Sequence, residues 1–142
     1  MDFATALNVS ASGLAAERTR VDLAASNLAN AESTQGPDGQ VYRRRDPVFM
    51  AQPFDQQLGA AYGSSEATGV RVSQIVEDSS PGKRVYSPDH PDADEEGFIT
   101  LPNVDPIHEV VNLVSAQGAY DANATAVETL ETMANHALDI AR

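Results

Sequence analysis

The chain has 142 residues, no cysteine and no tryptophan, and its formal net charge is −12. Such an acidic composition argues against nucleic acid as a partner, because phosphate binding needs clustered Lys and Arg. The lack of cysteine excludes disulfides, thiolate metal sites and cysteine nucleophiles. Much of the 42% apolar fraction is alanine, which buries little surface per residue, so we expect a thin core and marginal stability for the isolated chain.

The distribution of apolar residues predicts no membrane insertion. No apolar run approaches the roughly 20 residues that a membrane-spanning helix needs. Residues 1–4 lack the basic start and apolar middle of a cleavable secretory signal. We therefore expect a chain that stays in the cytosol or leaves it by a route that uses no such signal.

Residues 1–31 predict a long amphipathic helix that starts near Asp2 or Phe3. Apolar residues recur in it every seven positions: Leu7, Leu14, Val21 and Leu28. A seven-residue repeat is typical of a helix packed lengthwise against another helix. Gly13 lies inside this helix at a cost of about 1 kcal/mol relative to Ala, and either close backbone approach or simple tolerance explains its presence.

The end of this first helix is marked by two asparagines. Asn27 and Asn30 lie in its last residues and just after them, and asparagine tolerates the left-handed conformation that suits a helix C-terminus. We therefore expect both residues to fix the turn that leads out of the helix.

Residues 105–142 predict a second long helix with a clear start. Asp105 is a capping residue and Pro106 suits the first helical position. A spacing of three to four residues then continues to the end of the chain and defines a packing seam of small and apolar residues: Leu113, Ala116, Tyr120, Val127, Leu130, Ala134 and Ala137. Gly118 lies inside this helix as Gly13 lies inside the first.

The middle segment, residues 32–104, predicts turns and short strands. Extended pieces are expected at 41–43, 47–50, 70–76 and 98–101, and 83–86 is expected to form a hairpin with 70–76. The small, polar stretch 59–69 predicts a flexible loop. The fold class is therefore α+β and mainly α. We expect the middle segment to be rich in β-hairpins.

The acidic stretch 92–99 is the sharpest candidate for a metal site. Three acids fall at positions one, three and five of a calcium-binding loop: Asp92, Asp94 and Glu96. Gly97 then stands at position six and Ile99 at position eight, but Asn103 at position twelve lacks the bidentate carboxylate. A solvated acidic turn before a strand is the default interpretation, and a small calcium-responsive binding module is the alternative.

No other cluster of residues indicates a catalytic or metal site. The three histidines are not at metal-ligand spacing, and no catalytic triad or phosphate-binding glycine loop is apparent: the histidines are His90, His108 and His136. We therefore predict no enzyme and no cofactor. The basic cluster 43–45 is interpreted as an exposed loop, with a contact to an acidic neighbour in an assembly as the alternative.

Residues 24–33, AASNLANAES, resemble the N-terminal signature of the flagellar rod, hook and hook-associated axial proteins. Segments 36–43 and 87–105, and positions 111–112 and 119–123, are similar to rod members of that family. The residues that carry the resemblance most strongly are Ser26, Asn27, Leu28, Ala29, Asn30, Pro88, His90, Pro91, Gly97, Pro102 and Asn103. Phe98 departs from the family, which often has Tyr there.

The resemblance implies a structural subunit of the flagellar basal-body rod. Such subunits are exported through the flagellar type III apparatus without a cleaved signal. They polymerise helically in the periplasm into the drive shaft around the export channel and transmit torque. Their N- and C-terminal helices, here 1–31 and 105–142, pair as an antiparallel coiled coil and form one domain. The implied partners are copies of the chain, the proximal and distal rod proteins, the adaptor FliE and the export gate.

Overall fold

The computed structural model describes residues 3–36, 39–53 and 68–140. Within these ranges lie two long helices and four strands. In chain order they are α1 (Phe3–Ala29), β1 (Arg45–Pro53), β2 (Thr68–Glu77), β3 (Lys83–Tyr86), β4 (Phe98–Leu101) and α2 (Pro106–Ile140). The described residues form two compact units. The first lies within Met1–Thr19, Val48–Gln74 and Ser115–Arg142, and the second within Arg20–Pro47 and Ile75–Val114.

At the end of helix α1, Asn30 binds the backbone carbonyl of Ser26 twice. The Asn30 backbone N–H donates to the Ser26 carbonyl oxygen at 3.1 Å, and its side-chain Nδ2 donates to the same oxygen at 2.8 Å. Asn30 therefore does fix the exit from the helix. It does so without the left-handed conformation that we expected, because no described residue other than glycine has a positive φ.

Helix α2 begins as the sequence predicts. The Asp105 Oδ1 atom accepts a hydrogen bond from the Ile107 N–H at 3.0 Å, and Pro106 is the first helical residue. The missing N–H of proline is harmless there, because the first backbone donors of a helix have no partner within it. At 1.5 Å per residue, the 35 residues of α2 extend over about 52 Å.

The two helices are in contact in each unit. In the first unit, a Cβ atom added to Gly13 would lie 3.0 to 3.1 Å from the side chain of Asn123. In the second unit, Asn27 is hydrogen-bonded to Glu109. Later residues of α1 meet earlier residues of α2, so the helices run antiparallel, as predicted. Gly13 thus has a packing reason: a Cβ atom there would crowd the Asn123 side chain.

The strands pair differently from the prediction. β1 pairs with β2, and β3 pairs with β4, in two separate two-stranded sheets. The predicted hairpin between 70–76 and 83–86 is therefore wrong. Residues 41–43, which were expected to be extended, belong to no strand. Most of the predicted loop 59–69 lies outside the described residues, and its last two residues begin β2.

The antiparallel β3–β4 sheet is closed by an acidic turn. Lys83 pairs with Leu101 and Tyr86 with Phe98, whose rings meet edge to face with centroids 5.2 Å apart. In the turn, Gly97 adopts a φ of +80°, which other residues rarely tolerate. An added Cβ at Gly97 would also lie 3.0 Å from the ring of Tyr86. Glycine is thus required here both by conformation and by space.

The buried interior is thin and partly polar. The buried apolar residues are Ala16, Ala24, Ala31, Ile99 and Ala116, most of them too small to remove much surface from water. The largest fully buried side chains are instead those of Glu109 and Asn27, both 1% exposed. Polar contacts therefore carry much of the specificity in the second unit.

Candidate functional site

Asn27 lies at the centre of a buried polar cluster in the second unit. Its Nδ2 donates to the Arg45 carbonyl oxygen at 2.9 Å and to Glu109 Oε2 at 3.0 Å. Its Oδ1 accepts from the Arg45 N–H and from the Tyr42 hydroxyl, each at 2.9 Å. Both amide donors and both acceptor positions of Asn27 are therefore used, as the burial of a polar side chain requires.

Glu109 projects from the first turns of α2 into this cluster. Its Oε2 accepts from Asn27, and its Oε1 accepts from Arg44 Nε at 2.6 Å. The Arg44 guanidinium also forms a bidentate pair with Asp46, at 2.6 and 2.9 Å. A carboxylate taken out of water is costly unless it is paired and hydrogen-bonded, and Arg44 and Asn27 meet that need.

Arg44, just before β1, and Arg45, its first residue, are held through their backbones as well. Asn27 binds both backbone groups of Arg45, while Asn103 Oδ1 accepts from the Arg44 N–H at 3.0 Å. The Asp78 N–H donates in turn to the Arg44 carbonyl at 2.8 Å. Two asparagines from distant parts of the sequence thus fix one dipeptide between α1, α2 and the end of β2.

The charges around Arg44 favour its protonated form. Burial lowers the Arg44 pKa, but the hydrogen bond to Glu109 and the charges of Asp46, Glu109 and Asp78 outweigh burial and raise it above its ordinary value. Arg45 forms a more exposed pair with Glu77 at 3.0 Å, and its guanidinium lies 5.6 Å from the Tyr42 ring centroid. The basic cluster 43–45 is therefore not simply an exposed loop, because two of its arginines are paired within the chain.

The predicted seam residues of the two helices differ in how far their side chains are buried. Ala116 is fully buried and Ala137 is exposed. The others are half-buried: Leu7, Leu14, Val21, Leu28, Leu113, Tyr120, Val127, Leu130 and Ala134. A heptad residue is half-buried when a neighbouring helix covers only part of its side chain. The role of these residues in packing between subunits stays a prediction.

The motif residues between 87 and 105 lie partly in the core and partly in the acidic turn. Pro102 is buried, and Asn103 links Arg44 to the Asp78 carbonyl. In the turn, the His90 N–H donates to the Ser87 carbonyl oxygen and His90 Nδ1 accepts from the Asp92 N–H at 3.1 Å. Pro88 and Pro91 are exposed. Two residues of the segment 24–33 lie near the end of α1: Ser26 Oγ is 3.3 Å from the Tyr42 hydroxyl, and Ala29 is exposed.

Two acidic side chains of the candidate calcium loop, Asp92 and Asp94, already bind other groups of the chain. Asp94 Oδ1 accepts from the Phe98 and Glu96 N–H groups, and Arg84 binds Asp94 Oδ2 at 2.8 Å. Asp92 Oδ2 instead accepts from Thr34 Oγ1 at 2.6 Å. In the ranges that the structure describes, no three acidic, His or Cys residues are placed to hold a metal ion. The geometry favours the acidic turn and does not support a calcium module.

Sequence reasoning missed Glu109, Arg44 and Tyr42 as members of the buried cluster. One signal was available, because Glu109 lies four and seven residues before Leu113 and Ala116 and so occupies the seam of α2. An acid at a seam position needs a buried partner. The motif identified Asn27, but its side-chain partners in β1 and α2 were not foreseen.

Comparison with known proteins identifies the family. Residues 7–37 match the family described as flagella basal body rod protein, and residues 95–140 match the family described as flagellar basal body rod FlgEFG protein C-terminal. In the described part of the chain, neither helix is apolar enough over sufficient length to cross a bilayer.

Curated relatives extend the match over nearly the whole chain. The flagellar basal-body rod protein FlgC of Salmonella typhimurium is 43% identical over 126 residues, which cover 89% of this chain and 88% of the relative. FlgC of Bacillus subtilis is 42% identical with 96% of each chain covered, and FlgC of Borreliella burgdorferi is 35% identical with 99% and 98% covered. The chain belongs to the FlgC family of flagellar basal-body rod proteins and is a structural subunit of the rod.

Proposed function

We propose that this chain is a purely mechanical, non-catalytic subunit that polymerises helically around the export channel and transmits torque. Residues 1–31 and 105–142 act as one axial domain, and residues 32–104 form a separate middle segment. Two features of the helices support this proposal. The buried pair Asn27–Glu109 fixes one helix against the other, and α2 leaves large apolar side chains exposed to solvent.

The observation that carries this proposal is the exposed apolar surface of α2. Ile107 is 77% exposed, Val111 61% and Val114 66%, and each is a residue type that is normally buried. A contiguous exposed apolar surface indicates an interaction site. No residue in the described part of the chain buries these side chains, and a neighbouring subunit in a polymer would supply a surface that does.

Gly118 supports the same conclusion. An added Cβ at Gly118 would meet no other atom within 4 Å, in contrast to Gly13. A mid-helix glycine costs about 1 kcal/mol relative to Ala, and the packing of the described residues gives no reason for that cost. A close helix contact with a neighbouring subunit supplies one. We assign the half-buried seam residues of α1 and α2 to the same inter-subunit packing.

We further propose where the subunit works and with what. It reaches the periplasm through the flagellar export apparatus without a cleaved signal, and it contacts copies of itself, other proximal and distal rod proteins, the adaptor FliE and the export gate. The absence of cysteine suits this route, because an unfolded chain that enters an oxidising compartment then forms no disulfide. The thin alanine seam suits a chain that gains order as it assembles.

Replacement of Gly118 by Leu tests the mechanical assignment. The Cβ of the new side chain meets no atom within 4 Å, and leucine raises helix propensity, so we expect the isolated chain to keep its helix content and thermal stability. In a strain that lacks its own copy of the protein, we expect Gly118→Leu to reduce swimming and the amount of the chain in purified basal bodies. Gly118→Ala serves as the matched control, with a much smaller effect.

The outcomes are distinct. If Gly118→Leu supports normal swimming and normal incorporation, the Gly118 surface is not an assembly contact. If the unmodified chain fails to enter basal bodies while it is exported, the rod assignment of this chain is itself wrong.

A further inference from the structure

A cleft lies in the second unit beside the point where the backbone pairing of β1 with β2 reaches Arg44. The Asp78 N–H donates to the Arg44 carbonyl oxygen at 2.8 Å there. The residues that line the cleft precede Arg44, follow Asp78 or come from the end of β4 and the link to α2: residues 40–43, residues 80–82, Thr100 and Asn103. Its volume is about 320 Å³, and we call it the Arg43 cleft.

The backbone of residues 41–43 is available to a partner in this cleft. In the described ranges, the N–H and C=O groups of these three residues form no hydrogen bond. The backbone on either side is bonded, because the Gln40 carbonyl oxygen accepts from the Gly36 N–H at 2.7 Å and the Arg44 N–H donates to Asn103 Oδ1 at 3.0 Å. Three successive peptide units therefore offer donors and acceptors along one wall of the cleft.

Arg43 supplies a positive charge to the same cleft. Its side chain is exposed, and no acidic residue in the described part of the chain is paired with it. The next two arginines differ, because Arg44 binds Asp46 and Glu109 and Arg45 binds Glu77. Arg43 also lines a second cleft of about 260 Å³ on the same segment. A guanidinium without a carboxylate, in a chain of net charge −12, is complementary to an acidic group from outside.

The walls of the Arg43 cleft are fixed by the fold. Asn103 binds the Arg44 N–H through Oδ1 and the Asp78 carbonyl oxygen through Nδ2, so it holds both chain segments at the cleft. Gly82 lies so close to β4 that an added Cβ would meet the Leu101 carbonyl oxygen. A site whose walls are held in this way loses little freedom when it binds a ligand.

We infer that the Arg43 cleft binds a peptide segment of another protein in an extended conformation, with an Asp or Glu side chain against Arg43. The backbone of such a segment pairs with residues 41–43, as an added strand pairs with the edge of a sheet. The carboxylate accepts parallel hydrogen bonds from the guanidinium. This inference goes beyond the proposed function, which concerns the apolar surface of α2.

A helix is a poor occupant of the same cleft. An α-helix is about 10 to 12 Å across with its side chains, which is too thick for a cleft of this volume, and its backbone groups are already bonded to one another. An extended segment has neither disadvantage. Because it pairs with only three residues, its contact area is much smaller than the roughly 800 Å² per partner of a standard stable interface, so we expect weak binding.

Backbone amide NMR spectra of the full-length chain test the inference with two blocked pentapeptides as probes. Both consist of valine and threonine around a central residue, which is aspartate in one peptide and asparagine in the other. We expect the aspartate peptide, at millimolar concentration, to shift the signals of residues 41–43 and Gly82. It should bind roughly threefold or more tightly than the asparagine peptide, because only aspartate forms an ion pair with Arg43.

Two variants and one further probe serve as controls. Arg43→Gln changes an exposed side chain, so the fold is retained, and the two peptides should then bind equally. Arg18→Gln removes an exposed arginine of the first unit and should leave the preference for aspartate unchanged. Sodium acetate supplies a carboxylate without a peptide backbone and should bind more weakly than the aspartate peptide.

Three results would overturn the inference. The first is the absence of any shift at residues 41–43 with either peptide, in a chain whose spectrum shows that it is folded. The second is equal affinity of the unmodified chain for the two peptides. The third is an affinity for acetate that equals the affinity for the aspartate peptide, which would indicate a site for small carboxylates. None of these results bears on the rod function, which is tested by incorporation into basal bodies.

Discussion

The side-chain nitrogen of Asn27 lies 3.0 Å from Oε2 of Glu109, and both side chains are 1% exposed. This hydrogen bond joins α1 to α2 through polar atoms in a core where most other buried residues are alanines. Alanine seams permit a helix to slide or rotate, because small residues give little shape to the contact. A buried amide–carboxylate bond has one low-energy register, so it fixes the helix pair at that position.

Replacement of Asn27 by Ala should remove that register. The change leaves Glu109, the backbone of Arg45 and the Tyr42 hydroxyl without their common partner, and the buried groups then lose several hydrogen bonds at once. We expect the free energy of unfolding to fall by about 3 to 5 kcal/mol. Urea denaturation followed by circular dichroism measures this. Thr129→Ala, at an exposed position, should change it by less than about 0.5 kcal/mol.

A double-mutant cycle should show that Asn27 and Glu109 act together. Asn27→Leu and Glu109→Leu each leave the other member of the pair buried without this hydrogen bond, while the double variant removes both members. The double variant should therefore lose about 1 to 3 kcal/mol less than the sum of the two single variants. Additive losses in urea denaturation would mean that the 3.0 Å contact contributes no coupling between the helices.

The two helical glycines should respond in opposite ways to alanine. Gly118→Ala adds a methyl group in open space, and we expect about 0.5 to 1 kcal/mol of added stability in the isolated chain. Gly13→Ala places its methyl group 3.0 to 3.1 Å from the Asn123 side chain, which must shift and so strain its hydrogen bond to the Ala119 carbonyl. We expect no gain and a loss of up to about 2 kcal/mol. Equal effects in thermal melts would contradict this assignment.

Acid should destabilise the turn that closes the β3–β4 sheet. Hydrogen bonds from the Phe98 and Glu96 N–H groups, together with Arg84, lower the pKa of Asp94 below its ordinary value of 3.8. Because the folded-state pKa is lower than the unfolded one, the contribution of Asp94 is fully present above 3.8 and is lost as the pH falls through the lowered pKa. Hydrogen bonds from Ser80 lower the pKa of Asp78 in the same direction.

Amide hydrogen exchange of residues 83–101, measured while the pH is lowered from neutral, should show this loss of protection. Asp94→Asn retains a side-chain oxygen that accepts the two backbone N–H groups but carries no charge. We expect its sheet to be less stable than that of the unmodified chain at neutral pH and to change less with acid. An unchanged acid response in this variant would show that another group is responsible.

The helices were predictable because their signals are local. The heptad repeat from Leu7 to Leu28 and the Asp105–Pro106 start are determined by neighbours within a few residues, and both helices appear where those patterns indicate. Strand pairing was not predictable in the same way. The nearest strands in the sequence were expected to pair, but β2 pairs with β1, which precedes it across the longest gap between described segments.

The buried polar cluster was even harder to predict from the sequence than the strand pairing. Asn27 and Glu109 lie 82 residues apart, and neither residue alone indicates the other. The periodicity of α2 places Glu109 on the seam, which is a reason to expect a polar partner. It does not say whether that partner comes from α1, from the strands or from another subunit. The position of Asn27 was known from its motif, but its role depended on a contact between distant segments.

The central claim is that neighbouring subunits cover the apolar face of α2. Thiol accessibility of Val111→Cys tests it most directly, with Thr129→Cys as the reference and purified free chain compared with intact basal bodies. We predict rapid labelling of both thiols in the free chain and strong protection of the thiol at 111 in basal bodies. Equal labelling of the thiol at 111 in both states, in basal bodies that contain the chain, would contradict the account.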